Sequence, residues 1–116
     1  MKIRITSNNL RFRLGRNEVQ TLGNGGKIDE TIRIGNSEMN FILFADKQAK
    51  AKIEDQTLMV SVSSEQARQW AVNDQVGIET TVDGLSITIE KDFKCLHGPT
   101  ENQAECFPNP LEQATR

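Results

Sequence analysis

Within the twelve residues that begin at Cys95 lie two thiols, one imidazole and two carboxylates, of which Cys95, His97, Glu101 and Cys106 are the candidate metal ligands. The chain has only two cysteines and one histidine in all, so its thiol and imidazole chemistry is confined to this segment. Thiolate, imidazole and carboxylate are ligands of zinc and iron, and these four could complete a four-coordinate site. Structural zinc sites usually draw their ligands in pairs about two to four residues apart, and here the second pair is missing. A disulfide between Cys95 and Cys106 would staple the same loop, although a reducing compartment disfavours it. The plain alternative is two ordinary thiols. A nucleophilic Cys95 would need a base, and His97 lies on its side of an extended chain, but no third residue is evident to orient the pair. The glycine run Gly23-Asn24-Gly25-Gly26 is followed neither by Lys-Ser/Thr nor by a helix, so it is no phosphate loop. The chain is therefore expected not to be an enzyme and to need no cofactor, with zinc or iron at the tail the one exception.

A second constellation is basic. Arg4, Arg11, Arg13 and Arg16 fall in the first 48 residues, where Lys and Arg outnumber Asp and Glu by eight to five. The remainder holds six against eleven, and the whole chain carries a formal charge of -2 with pI about 5.4. The N-terminal part is thus the candidate for an anionic partner such as DNA. Nucleic-acid binders more often show a clear basic stripe or a pI above about 9, so net charge disfavours that partner. A solvated mixed-charge surface is the competing reading.

The elements that position these residues follow from periodicity. At 116 residues the chain has room for one domain. Ile3 and Ile5, then Leu10, Phe12 and Leu14, alternate with polar residues as half-buried strands do, placing Arg4, Arg11 and Arg13 on the other face. Residues 16–22 break the alternation as a short helix, with Gly23 where a C-terminal cap would sit. Ile28, Ile32 and Ile34 resume it, and Met39, Phe41 and Leu43 follow. Ile42 and Phe44 make that strand apolar on both faces, so it should be central or covered. The order then recurs: Ile53, then Leu58, Val60 and Val62; a helix through Ala67 and Trp70, capped by Ser63 with Gln66 or by Ser64; then Val76, Ile78 and Val82. The Asp83-Gly84 hairpin signal and Leu85, Ile87 and Ile89 close it.

Sliding the chain by 48 residues sets Ile3 against Ala51, Leu10 against Leu58, Leu22 against Trp70, Ile28 against Val76 and Ile34 against Val82. The predicted fold is mainly β (α+β): a single small β-barrel, residues 1–92, from two β-β-α-β-β halves of about 1–48 and 49–92. Residues 93–116 form an irregular tail packed on it, with Phe93, Leu96 and Phe107 as anchors on the Ile42 and Phe44 face.

Two resemblances bear on this reading. The run from Leu58 to Ala67, then Trp70, Asn73-Asp74 and Asp83-Gly84, resembles an AbrB/MazE-type half-domain, two of which interlock as a swapped-hairpin barrel. That resemblance implies DNA binding through basic residues near the first strands, which here would be Arg4, Arg11, Arg13 and Arg16. The second half offers only Lys50, Lys52 and Arg68. The stretch Glu90-Lys91-Asp92-Phe93-Lys94-Cys95-Leu96, with Phe107-Pro108-Asn109-Pro110, is similar to a family of small bacterial proteins of unknown function, which implies no activity. The expected role is a non-enzymatic binding or regulatory module with an unknown protein or small ligand as partner. A DNA-binding regulator and a metal or thiol site in the tail are the alternatives. No membrane association is expected, the location should be cytoplasmic, and the chain should be a monomer or homodimer.

Overall fold

The computed structural model describes residues 1–93. They are mainly β, in the order β1 (Lys2–Thr6), β2 (Asn9–Leu14), α1 (Arg16–Gly23), β3 (Lys27–Ile34), β4 (Ser37–Asp46), β5 (Lys50–Glu54), β6 (Thr57–Ser63), α2 (Ser64–Val72), β7 (Gly77–Val82) and β8 (Leu85–Lys91). The tail expected to pack along the strands, with its cysteines and histidine, lies outside the described residues. No helix among the described residues is long and apolar enough to cross a membrane.

Tight turns set the hairpins. Asp55-Gln56 and Asp83-Gly84 have positive φ at both positions, 51° and 62° in the first pair and 50° and 83° in the second. Paired positive φ is what a two-residue turn needs to match the twist of its flanking strands. The strands are hydrogen-bonded as two four-stranded sheets, a first with order β1-β2-β8-β7 and a second with order β3-β4-β6-β5. The central pairs, β2 with β8 and β4 with β6, are parallel, and the outer pairs are antiparallel. One core serves both sheets: Leu10, Phe12, Leu14, Ile87 and Ile89 from the first and Leu43, Val60 and Val62 from the second form one cluster with Val19, Leu22, Ala67 and Trp70 of the helices. Trp70 is fully buried, and its indole N–H donates to the Val76 carbonyl at 3.1 Å.

Local chemistry fixes the helix ends. The Ser63 hydroxyl accepts from the Gln66 N–H at 3.3 Å, while Ser64 donates to the Asp46 carbonyl at 2.8 Å, so Ser63 is the cap. At α1 the Glu18 carboxylate accepts from the Gly15 N–H at 3.0 Å and from the Met1 ammonium at 2.7 Å. The same ammonium donates to Glu30 at 3.3 Å, which ties the start of β1 to α1 and β3. Burial lowers the pKa of this amine, but the hydrogen bonds and charges of Glu18 and Glu30 outweigh it and leave the value raised.

Two expectations need correction. Gly23 is the last residue of α1, and the left-handed position that turns the chain is Gly25, at φ 86°. Gly23 serves close approach instead, since a Cβ there would come within 2.5 Å of the Ala71 Cβ on α2. The spacing of 48 also fails after the helices. Ile28 pairs with Leu43 and Ile78 with Ile89, all four buried, whereas Val76 precedes β7 and is 53% exposed. Trp70 is separated from Ile78 by two more residues than Leu22 is from Ile28, so Ile78, not Val76, occupies the buried position, and Ile34 does not correspond to Val82.

Candidate functional site

The first two strands build a basic face because their alternation is strict. Leu10, Phe12 and Leu14 are buried, which turns Arg11 and Arg13 outward. Register does the rest: Lys2 stands opposite Arg13 and Arg4 opposite Arg11. Residues directly opposite on antiparallel strands have Cβ atoms about 4.5–5.5 Å apart, and like charges so placed destabilise the sheet. Four cations therefore share one patch of the first sheet, and Lys2, Ile3, Arg4, Arg11 and Arg13 line a hollow of about 150 Å³ within it.

The neighbouring parallel strand supplies part of the counter-charge. β8 sets Thr88 beside Arg11 and Glu90 beside Arg13. The Arg13 Nε donates to Glu90 Oε1 at 3.3 Å, and the Arg11 Nε lies 3.9 Å from Glu90 Oε2, so one carboxylate serves two guanidinium groups. Lys2 Nζ is 2.9 Å from the Asp92 carboxylate, which is almost fully buried. Arg4 has no carboxylate within salt-bridge distance among the described residues. The Arg11 Nε is buried without a hydrogen-bond acceptor. The face is thus left with positive charge and one guanidinium N–H unsatisfied.

Of the four arginines expected to act together, Arg4, Arg11 and Arg13 meet at this hollow. Arg16 does not line it, because it opens α1 beyond the end of β2. Lys2 belongs to the group and was missed, although its parity with Arg4 would have revealed it. Glu90 and Asp92 were not recognisable, since they reach the face through a pairing between residues 77 positions apart.

The second sheet carries no equivalent patch. Lys50 and Lys52 lie on its outer face, but beside them β6 places Ser61 and Met59 where β2 of the first sheet places Arg13 and Arg11. Phe44 lies next to Ser61 on β4, so this hollow, about 490 Å³, is part apolar. Arg68 is on α2. Ile42 and Phe44 share this outer face and are half-buried, while Phe41 and Leu43 point to the core side.

The expected metal residues Cys95, His97, Glu101 and Cys106 lie outside the described residues. Among the described residues no group of three His, Cys, Asp or Glu side chains could hold a metal ion.

A family model described as "Family of unknown function (DUF7009)" matches residues 1–111. No curated protein and no solved structure matches the chain.

Proposed function

Starting from the chain's membership of this family of unknown function, we propose that it is a non-enzymatic binding module that takes the phosphate backbone of a nucleic acid on the outer face of its first sheet. The observation that carries the reading is the direct opposition of Arg4 and Arg11, next to that of Lys2 and Arg13. Each like-charged pair costs a few tenths of a kcal/mol to about 1 kcal/mol. The buried, unsatisfied Arg11 Nε adds roughly 1–3 kcal/mol. A bound anion offsets the repulsion between the paired cations. The hollow, at about 150 Å³, is smaller than the roughly 300–1,000 Å³ of sites that enclose whole small molecules. It suits a single phosphate group presented from outside, and an open face suits a long strand of them.

The architecture we propose is a single barrel-like body made of two β-β-α-β-β halves. Strand order supports this. Replacing β1 to β4 by β5 to β8, and the reverse, turns the order of one sheet into that of the other, and each sheet takes one hairpin from each half. Such interleaving is what the swapped-hairpin resemblance implies. With the clustered arginines Arg4, Arg11 and Arg13 all on the first sheet, the grip is one-sided, and affinity should be modest in a chain of net charge -2.

Duplex DNA titrated at several salt concentrations tests the reading. Three or four neutralised phosphates give a log–log slope of about -2.7 to -3.6. Arg4→Ala combined with Arg11→Ala should abolish binding and leave the fold intact. Absence of binding at low salt removes the proposal.

A further inference from the structure

β3 is an edge strand of the second sheet, and its residues 29–34 are all exposed. Ile32 and Ile34 are 47% and 71% exposed although both lie on the core-facing side of the strand. The cause is an overhang. β6 accompanies β4 only as far as Asn40 opposite Thr57, while the β3–β4 ladder continues through Ile32 with Met39, Arg33 with Glu38 and Ile34 with Ser37. The β7–β8 hairpin extends past Ser86, its last pairing with β2, by the single pair Val82 with Leu85. Glu30 shares the side of Ile28, Ile32 and Ile34, so the edge is mixed in character, but it contains no proline and keeps its apolar residues exposed, and such a strand can accept another.

We propose that β3 is a homodimerisation edge, pairing antiparallel with β3 of a second copy about a two-fold axis at Thr31. Charge selects both the partner and the register. Centred on Thr31, the pairing sets Asp29 opposite Arg33 of the second copy twice, sets Ile28 opposite Ile34, and brings no like charges together. Centring on Glu30 opposes Glu30 to itself, centring on Arg33 opposes Arg33 to itself, and centring on Ile32 pairs Arg33 with Thr31 and leaves Asp29 without a basic residue opposite. Asp29 has no ion-pair partner among the described residues, and the bond from Arg33 to Glu38, 2.9 Å long, joins two well-exposed side chains that can share a further carboxylate. In the same step Ile34 comes beside Ile28 of the second copy, and Ile32 beside the aliphatic stem of its Glu30.

Sedimentation equilibrium of the full chain and its charge variants tests this. The wild type should sediment at twice the monomer mass of 13.0 kDa. Asp29→Arg and Arg33→Asp should each weaken the dimer by about tenfold or more, since two attractive cross-strand pairs become repulsive. Each variant should keep the native circular dichroism spectrum. Mixing the two single variants should restore a mixed dimer. The arginine introduced in one copy then faces the aspartate introduced in the other, and the unaltered Arg33 of the first faces the unaltered Asp29 of the second. Loss of the internal bond from Arg33 to Glu38 cannot produce that rescue. A wild type that stays monomeric at the highest attainable concentration overturns the proposal, whatever else covers β3. So does a dimer that both single reversals leave unchanged, or a mixture that fails to re-associate.

Discussion

Arg4 on β1 faces Arg11 on β2 directly across an antiparallel ladder, and Arg11 presents a buried Nε that finds no acceptor. Two like charges held in register oppose the stability of the hairpin that carries them. Stability and anion binding should therefore respond in opposite directions to the same substitution.

Arg4→Glu makes this measurable. The repulsive pair becomes an attractive one, and urea denaturation should show a gain of about 0.5–1 kcal/mol. Duplex DNA binding should fall at least tenfold in the same protein. A variant that loses stability, or binds as before, contradicts the role assigned to the face.

Glu90 divides its carboxylate between Arg11 and Arg13. Glu90→Gln should release both guanidinium groups toward a bound anion, so DNA affinity rises and the salt dependence steepens. The fold should lose no more than about 1 kcal/mol, since these pairs are partly exposed. Fluorescence anisotropy at two salt concentrations reads the effect, and weaker binding would count against it.

The Met1 ammonium bridges Glu18 and Glu30, and its pKa in the folded chain is raised above the ordinary 8.0. The folded chain therefore holds this proton more tightly than the unfolded one. The resulting stabilisation is fully present below pH 8.0 and is lost as pH rises through the higher folded value. Thermal melts over that interval should show a falling midpoint. Glu18→Gln with Glu30→Gln should flatten this dependence, and an unchanged slope in the double variant would show that another group is responsible.

Gly23 lets α1 approach Ala71 of α2 more closely than any side chain permits. Gly23→Ala gains helix propensity of about 1 kcal/mol, yet the overpacking should outweigh it and leave a net loss of about 1–2 kcal/mol. Adding Ala71→Gly should recover part of that loss. Chemical denaturation of the two variants measures the coupling, and additive effects would mean that the helices separate at no cost.

Much of this architecture could be read from alternation alone. The parity of Leu10, Phe12 and Leu14 placed Arg11 and Arg13 on one outward face, and the Asp83-Gly84 pair marked its turn without ambiguity. Short-range signals of this kind survive folding because turn geometry and strand period act within a few residues. Partnership between strands is another matter. That β8 lies parallel to β2, bringing Glu90 to Arg13, depends on contacts across most of the chain and leaves no local trace. The slip that replaces Val76 by Ile78 was hidden for a related reason: both residues are apolar, and only the pairing of Ile78 with Ile89 tells them apart.

The parallel ladders at the centre of each sheet also govern how this protein is made. β2 cannot complete its sheet until Ser86 to Lys91 has been synthesised, and β4 must wait for β6. During translation the β1–β2 hairpin therefore emerges without its sheet partner, and only α1 can cover Leu10, Phe12 and Leu14 early, while some seventy further residues are added before β8. Sequence-distant pairing slows folding, so the first sheet is completed late. The arginines of β1 and β2, whatever they bind later, also keep these early strands from adhering to one another between neighbouring nascent chains.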